Sequence, residues 1–76
     1  MQDKLIAIRR GAMLTQSDMA KVINVDLRTY QAKERGESQF KLNEMFAISE
    51  YFGMTMDEIF LNKNFMKYEV WFLEGR

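Results

Sequence analysis

Enzymes commonly rely on an activated nucleophile, a proton-transfer group or a bound metal, and this 76-residue chain contains neither histidine nor cysteine. Their absence excludes disulfides, zinc fingers, thiol chemistry and metal sites of the usual nitrogen or sulfur kind. Carboxylates remain. Glu44 and Glu50, or Asp57 and Glu58, are the pairs that acid–base chemistry would use, but on helix faces they read as solvating groups. The chain has no glycine-rich phosphate loop and too small a body for a deep pocket. We therefore expect no enzyme, no cofactor, no metal and no small-molecule ligand. What is left is recognition by hydrogen bonds and charge, and Gln16, Arg28, Gln31 and Arg35 all fall between Thr15 and Gly36.

That stretch, TQSDMAKVINVDLRTYQAKERG, reads as two short helices joined by a tight corner. Thr15 is a good N-cap because its hydroxyl can accept an orphan backbone N–H, and Asp18 adds negative charge in the first turn. Met19, Val22 and Ile23 recur at helical spacing and mark a buried face. Ala20 is small enough for a second helix to cross closely. Asn24 follows the last apolar residue and, after glycine, best tolerates a left-handed backbone. Asp26 is placed as a second N-cap, opening a helix from Leu27 to about Arg35, with Gly36 as its stop.

These residues resemble the Cro/repressor-type helix-turn-helix family, also called the XRE or lambda-repressor-like family. Its pattern is T-Q-x-x-[LM]-A-x-x-[LIV]-G-[VI]-S-x-x-T-[IY]-x-x-[IWYK]-E-x-G, and Thr15, Gln16, Met19, Ala20, Ile23, Val25, Thr29, Tyr30, Glu34 and Gly36 fit it. Asn24 stands where the turn glycine is customary. Lys33 stands at a usually apolar position, a variant similar to one used by small Cro-like regulators of Gram-positive phages and mobile elements. The second half also matches, since Phe40 through Phe60 resembles the family's L-x-x-[LM]-x-x-I-[AS]-x-x-[LF]-x-[VM]-[ST]-[LM]-D-E-[LI]-F. The resemblance covers roughly residues 3 to 60 and implies an all-α, five-helix DNA-binding domain over residues 1–61.

It also implies roles. Helix 27–35 would enter the major groove of operator DNA, which admits one α-helix. Tyr30 would point inward, leaving Leu27, Arg28, Gln31, Ala32 and Arg35 on or near the outer face. Arg28 can fork onto guanine O6 and N7, Gln31 can pair with adenine, and Leu27 and Ala32 can touch thymine methyls. Gln16 corresponds to the family's phosphate-contacting glutamine, helped by the helix dipole. Arg35, Ser38, Lys41 and Arg10 would extend the backbone grip, which positions rather than specifies. Arg9 and Glu34 would form a buried structural ion pair.

The flanking segments follow the same logic. Gln2 to Arg10 reads as a first helix with Gly11 as its stop, and the resemblance implies that Leu5 and Ile8 face inward. Phe40 folds back onto the core from a polar loop. Leu42, Met45, Phe46, Ile48 and Phe52 make a core face on a helix ended by Gly53, and Thr55 caps a last short helix through Phe60. A hydrophobic fraction of 47% is enough to give this one small domain a core. Net charge is zero but polarised: residues 1–41 carry eight cations against five anions, and residues 42–76 carry three against six. A basic N-terminal half suits phosphate, and an acidic C-terminal half suits solvent or a partner.

Residues 62–76 lie outside the five-helix unit. Phe65, Tyr68, Val70, Trp71 and Phe72, interleaved with Lys67 and Glu69, favour a strand, while Met66, Val70 and Leu73 also fit a helix. Such an arm would either pair with a second chain, giving a dimer, or pack on its own core. A homodimer is expected because specific affinity usually needs two half-sites one DNA turn apart. No apolar run approaches the ~20 residues of a membrane span, so a cytoplasmic, nucleoid-associated repressor is expected. The competing expectation is a protein-interaction module of the same fold, such as an antitoxin or anti-repressor.

Overall fold

The computed structural model describes residues 2–60, and the arm expected over 62–76 lies outside the described residues. Among them the fold is all-α, with five helices: α1 (Asp3–Gly11), α2 (Gln16–Val22), α3 (Leu27–Arg35), α4 (Leu42–Phe52) and α5 (Met56–Phe60). Helix α2 packs on α3 and α4, while α5 packs on α1 and α4.

Side-chain to backbone bonds fix the starts of α2, α4 and α5. Thr15 Oγ1 accepts the Asp18 N–H at 3.0 Å, and the Asp18 carboxylate accepts the Thr15 N–H at 2.9 Å, a reciprocal capping box at α2. Thr55 and Glu58 repeat it at α5, with bonds of 3.1 and 2.8 Å. At α4 the Glu44 carboxylate reaches back to the Lys41 N–H at 2.8 Å. Asp26 departs from expectation. It holds the N-cap position of α3 but makes no side-chain cap bond, because its carboxylate accepts the Thr29 hydroxyl instead.

The helix ends share one device. The chain turns through a left-handed residue at Met13, Asn24, Gly36 and Gly53. In each case the next N–H bonds back across the turn, as in Leu14 N–H to the Arg9 carbonyl at 3.0 Å and Val25 N–H to the Ala20 carbonyl at 2.9 Å. These are Schellman closures. Gly11 is therefore not the stop of α1: it lies within the helix, and Met13 (φ 59°) takes the left-handed place, 90% exposed.

The core is Leu5, Met19, Ala20, Ile23, Tyr30, Phe40, Ile48 and Ile59. Phe40 folds back as expected, packing edge-on against Tyr30 and Phe60 with centroids 6.0 and 5.4 Å apart. Full burial of each large side chain stabilises the fold by about 1.5–3 kcal/mol. Helix α4 corrects the expected core face. Ile48 is buried and Met45 and Phe52 pack against the core, but Leu42 and Phe46 are 68% and 52% exposed. The buried side of α4 carries Glu44, Ile48 and Ser49, and Leu42 and Phe46, one turn apart, are rotated away from it.

Candidate nucleic-acid interface

Helices α2 and α3 are set against each other by the corner at Asn24, whose φ of 59° the asparagine backbone tolerates. Ala20 is 3% exposed, its single methyl group within the core. The exposed face of α3 then follows from what the opposite face buries: Tyr30, Lys33 and Glu34 turn inward. Leu27, Arg28 and Arg35 are exposed, while Gln31 and Ala32 are half-buried. Positions 27, 28, 31, 32 and 35 fall on one stripe of a 3.6-residue helix.

Beneath that stripe lies a polar network. Arg9 donates through Nε to Glu34 Oε2 at 2.9 Å and through Nη2 to Oε1 at 3.3 Å. Arg9 Nη1 also donates to the Leu14 carbonyl at 2.9 Å, tying α1 to the start of the α2–α3 unit. The Tyr30 hydroxyl donates to Glu34 Oε2 at 2.6 Å, and Gln16 Nε2 donates to Oε1 at 2.8 Å. Gln31 Nε2 in turn donates to Gln16 Oε1 at 3.0 Å. Arg9 and Glu34 are 7% and 3% exposed, so each needs the other. Burial pushes the Glu34 carboxyl up, but the donors Arg9, Tyr30 and Gln16 outweigh it and hold the group below the ordinary carboxylate range. Burial, followed by the hydrogen bond and negative charge of Glu34, pushes the Tyr30 phenol far above its usual value. Both protonation states are therefore fixed near neutral pH.

Lys33 has its own partner. Its Nζ lies 3.0 Å from the Glu44 carboxylate, donates to the Gln39 carbonyl at 3.1 Å and stands 6.0 Å from the Phe40 ring centroid. Glu44 is thus a buried, paired carboxylate, 6% exposed, not a solvating one. Burial pushes its carboxyl up, but the Lys41 N–H and Lys33 outweigh this and hold it low. A lysine in an apolar position requires a buried acid nearby. That was the available sequence signal, and Glu44 is the acid that answers it.

The remaining candidate residues are distributed more widely. Arg35 forks onto Glu37 through bonds of 2.9 and 3.1 Å, a solvent-exposed pair. Ser38 and Lys41 stand between α3 and α4, and Arg10 stands on α1, all three exposed. No side-chain hydrogen bond joins those three to the α3 stripe among the described residues. Gln16 and Gln31, which the sequence places fifteen residues apart with separate roles, are brought into direct contact.

Comparison with known proteins agrees with this geometry. A family model described as helix-turn-helix matches residues 5–59. A protein of Methanocaldococcus jannaschii described as an uncharacterized HTH-type transcriptional regulator is 36% identical over 61 residues, covering 80% of this chain and 92% of its own length. The crystal structure of a transcriptional regulator from Listeria innocua shares the fold at a TM-score of 0.73 and 21% identity, covering 99% of this chain and 76% of that one. The helix pair, its Asn24 corner and the extent of the match lead to one conclusion: the chain belongs to the XRE-type helix-turn-helix family of DNA-binding transcriptional regulators.

Proposed function

We propose that the protein is a Cro-like repressor that reads operator DNA in the major groove with α3. The observation that carries this reading is the division of α3. Tyr30, Lys33 and Glu34 anchor one side in the core, and Leu27, Arg28 and Gln31 stand along the other. Arg28 is exposed and forms no ion pair among the described residues, so its guanidinium is available to fork onto guanine O6 and N7. Leu27 and Ala32 supply apolar contact for thymine methyls. Gln16, at the N-terminus of α2, Arg10, Ser38 and Lys41 would hold phosphates, which position the helix without reading sequence. Arg35 joins them only by exchanging Glu37 for a phosphate. Two copies on adjacent half-sites would supply the specific affinity that one short helix lacks.

Fluorescence anisotropy tests the reading, using the DNA flanking the protein's own gene against a scrambled duplex at two salt concentrations. Salt-sensitive binding that prefers the native duplex, and a preference reduced by Arg28→Ala, is the expected result. Equal binding to both duplexes no tighter than ~10⁻⁵ M is what phosphate attraction alone gives and would refute it. A second reading, a protein-binding module such as an antitoxin or anti-repressor, is favoured by one observation: Leu42 and Phe46 present an exposed apolar pair on α4. It predicts that Leu42→Asp with Phe46→Asp abolishes partner capture and leaves DNA affinity unchanged.

A further inference from the structure

Glu34 lies in the core, 3% exposed, yet the hydrogen-bond chain that starts there ends on the α3 stripe. The polarity of that chain follows from chemistry alone. An ionised carboxylate can only accept, so the Gln16 amide must turn its NH2 toward Glu34 Oε1, where Nε2 stands at 2.8 Å. The Gln16 carbonyl then faces Gln31, which must answer with its own NH2, at 3.0 Å. Glutamine amides rotate freely between two orientations, but here each is fixed by its inner neighbour. The outer edge left on Gln31 is its carbonyl oxygen plus the second N–H of Nε2.

We infer that Glu34, which touches no base, is a specificity-determining residue that sets which base Gln31 reads by fixing the orientation of two amides in series. One acceptor beside one donor matches adenine, which presents N6–H₂ and N7 in the major groove. Guanine presents two acceptors, N7 and O6, and sets one of them against the Gln31 carbonyl. The inference rests on the operator-reading proposal and adds a direction to it. Reversing the acceptor at the inner end should reverse the whole chain.

Two variants make that reversal. In Glu34→Gln the oxygen is favoured at the Oε2 position, where Arg9 Nε and the Tyr30 hydroxyl donate at 2.9 and 2.6 Å, because the Arg9 bond forfeited at Oε1 is the longer one, at 3.3 Å. The new NH2 then occupies the Oε1 position, turns the Gln16 carbonyl inward and leaves the Gln31 NH2 outward. Because that variant also deprives Arg9 of its buried counter-charge, Gln16→Lys builds the same reversal at a half-buried position. The lysine donates to Glu34 on one side and to the Gln31 carbonyl on the other.

The experiment selects bound duplexes from a randomised pool with the full chain, then measures relative Kd for all four bases at the position whose preference Gln31→Ala removes. Circular dichroism confirms that each variant is folded. The wild type should prefer adenine there by roughly 5- to 150-fold. Gln16→Lys, and Glu34→Gln where folded, should move the preference to guanine or thymine, with other positions unchanged. An adenine preference undiminished in Gln16→Lys, or a wild-type preference for guanine, overturns the inference while leaving operator binding intact. A wild type that selects no sequence at all overturns the operator reading and this inference with it.

Discussion

Removing Arg9 should be among the most damaging single changes available to this domain. Arg9→Met keeps most of the aliphatic stem but deletes the bonds to Glu34 at 2.9 and 3.3 Å and to the Leu14 carbonyl at 2.9 Å. Glu34 would remain 3% exposed, a negative charge held only by the neutral donors Tyr30 and Gln16. Leaving one half of a buried pair uncompensated costs about 3–5 kcal/mol. A small domain has roughly 5–15 kcal/mol in total, so the variant approaches the edge of folding. At about 4–8 °C per kcal/mol for a domain of this size, the melting temperature should fall by tens of degrees. Urea titration followed by far-UV circular dichroism, with the melting curve alongside, measures both quantities. The double variant Arg9→Met with Glu34→Met should recover part of the loss, because no buried charge is then stranded. A single variant within about 1 kcal/mol of wild type at an unchanged m-value would show that the pair is not a structural requirement.

Three further outcomes are expected. Glu34 and Glu44 are held below their ordinary value of 4.5, so the unfolded chain binds more protons than the folded one at acid pH. Their stabilisation is complete above pH ~4.5 and is lost as pH falls below that through the depressed folded values; chemical denaturation between pH 7 and 3 reads it, and a flat profile contradicts it. Gly11→Ala and Met13→Gly should each raise stability by about 0.5–1 kcal/mol, because a Cβ at Gly11 meets nothing within 4 Å and Met13 occupies a left-handed backbone. A lower denaturation midpoint for both variants would refute that assignment of the α1 stop. Lys33→Met should destabilise by about 3–5 kcal/mol by stranding Glu44, and Lys33→Met with Glu44→Leu should restore much of it. A double-mutant cycle with no coupling would contradict the buried pair.

Features governed by nearby backbone chemistry were legible in the sequence. The N-caps at Thr15 and Thr55, the left-handed Asn24 and the bounds of α3 each depend on residues within a few positions. The five-helix fold was legible from the family pattern, which combines caps, small residues and apolar spacing over most of the chain. What escaped was set by contacts between distant segments. Met13, rather than Gly11, turns the chain because the Leu14 N–H returns to Arg9 and the Leu14 carbonyl accepts from its guanidinium. The apolar spacing of α4 admits two faces, and the Lys33–Glu44 pair belongs to the one that is buried, leaving Leu42 and Phe46 outside. The residue type of Asp26 points to a cap, but Thr29 competes for the same carboxylate. In the site, Gln16 and Gln31 could be named singly, whereas their contact needs both helices in place.

Methylation interference reports directly which groove of the operator α3 occupies. Dimethyl sulfate marks guanine N7 in the major groove and adenine N3 in the minor groove, so a lightly methylated operator duplex separates the two faces of the DNA. Reading by α3 predicts that N7 methylation at specific guanines blocks binding, and that the block at one of them disappears with Arg28→Ala. Interference confined to adenine N3, or no interference on a duplex that is nevertheless bound, would contradict it.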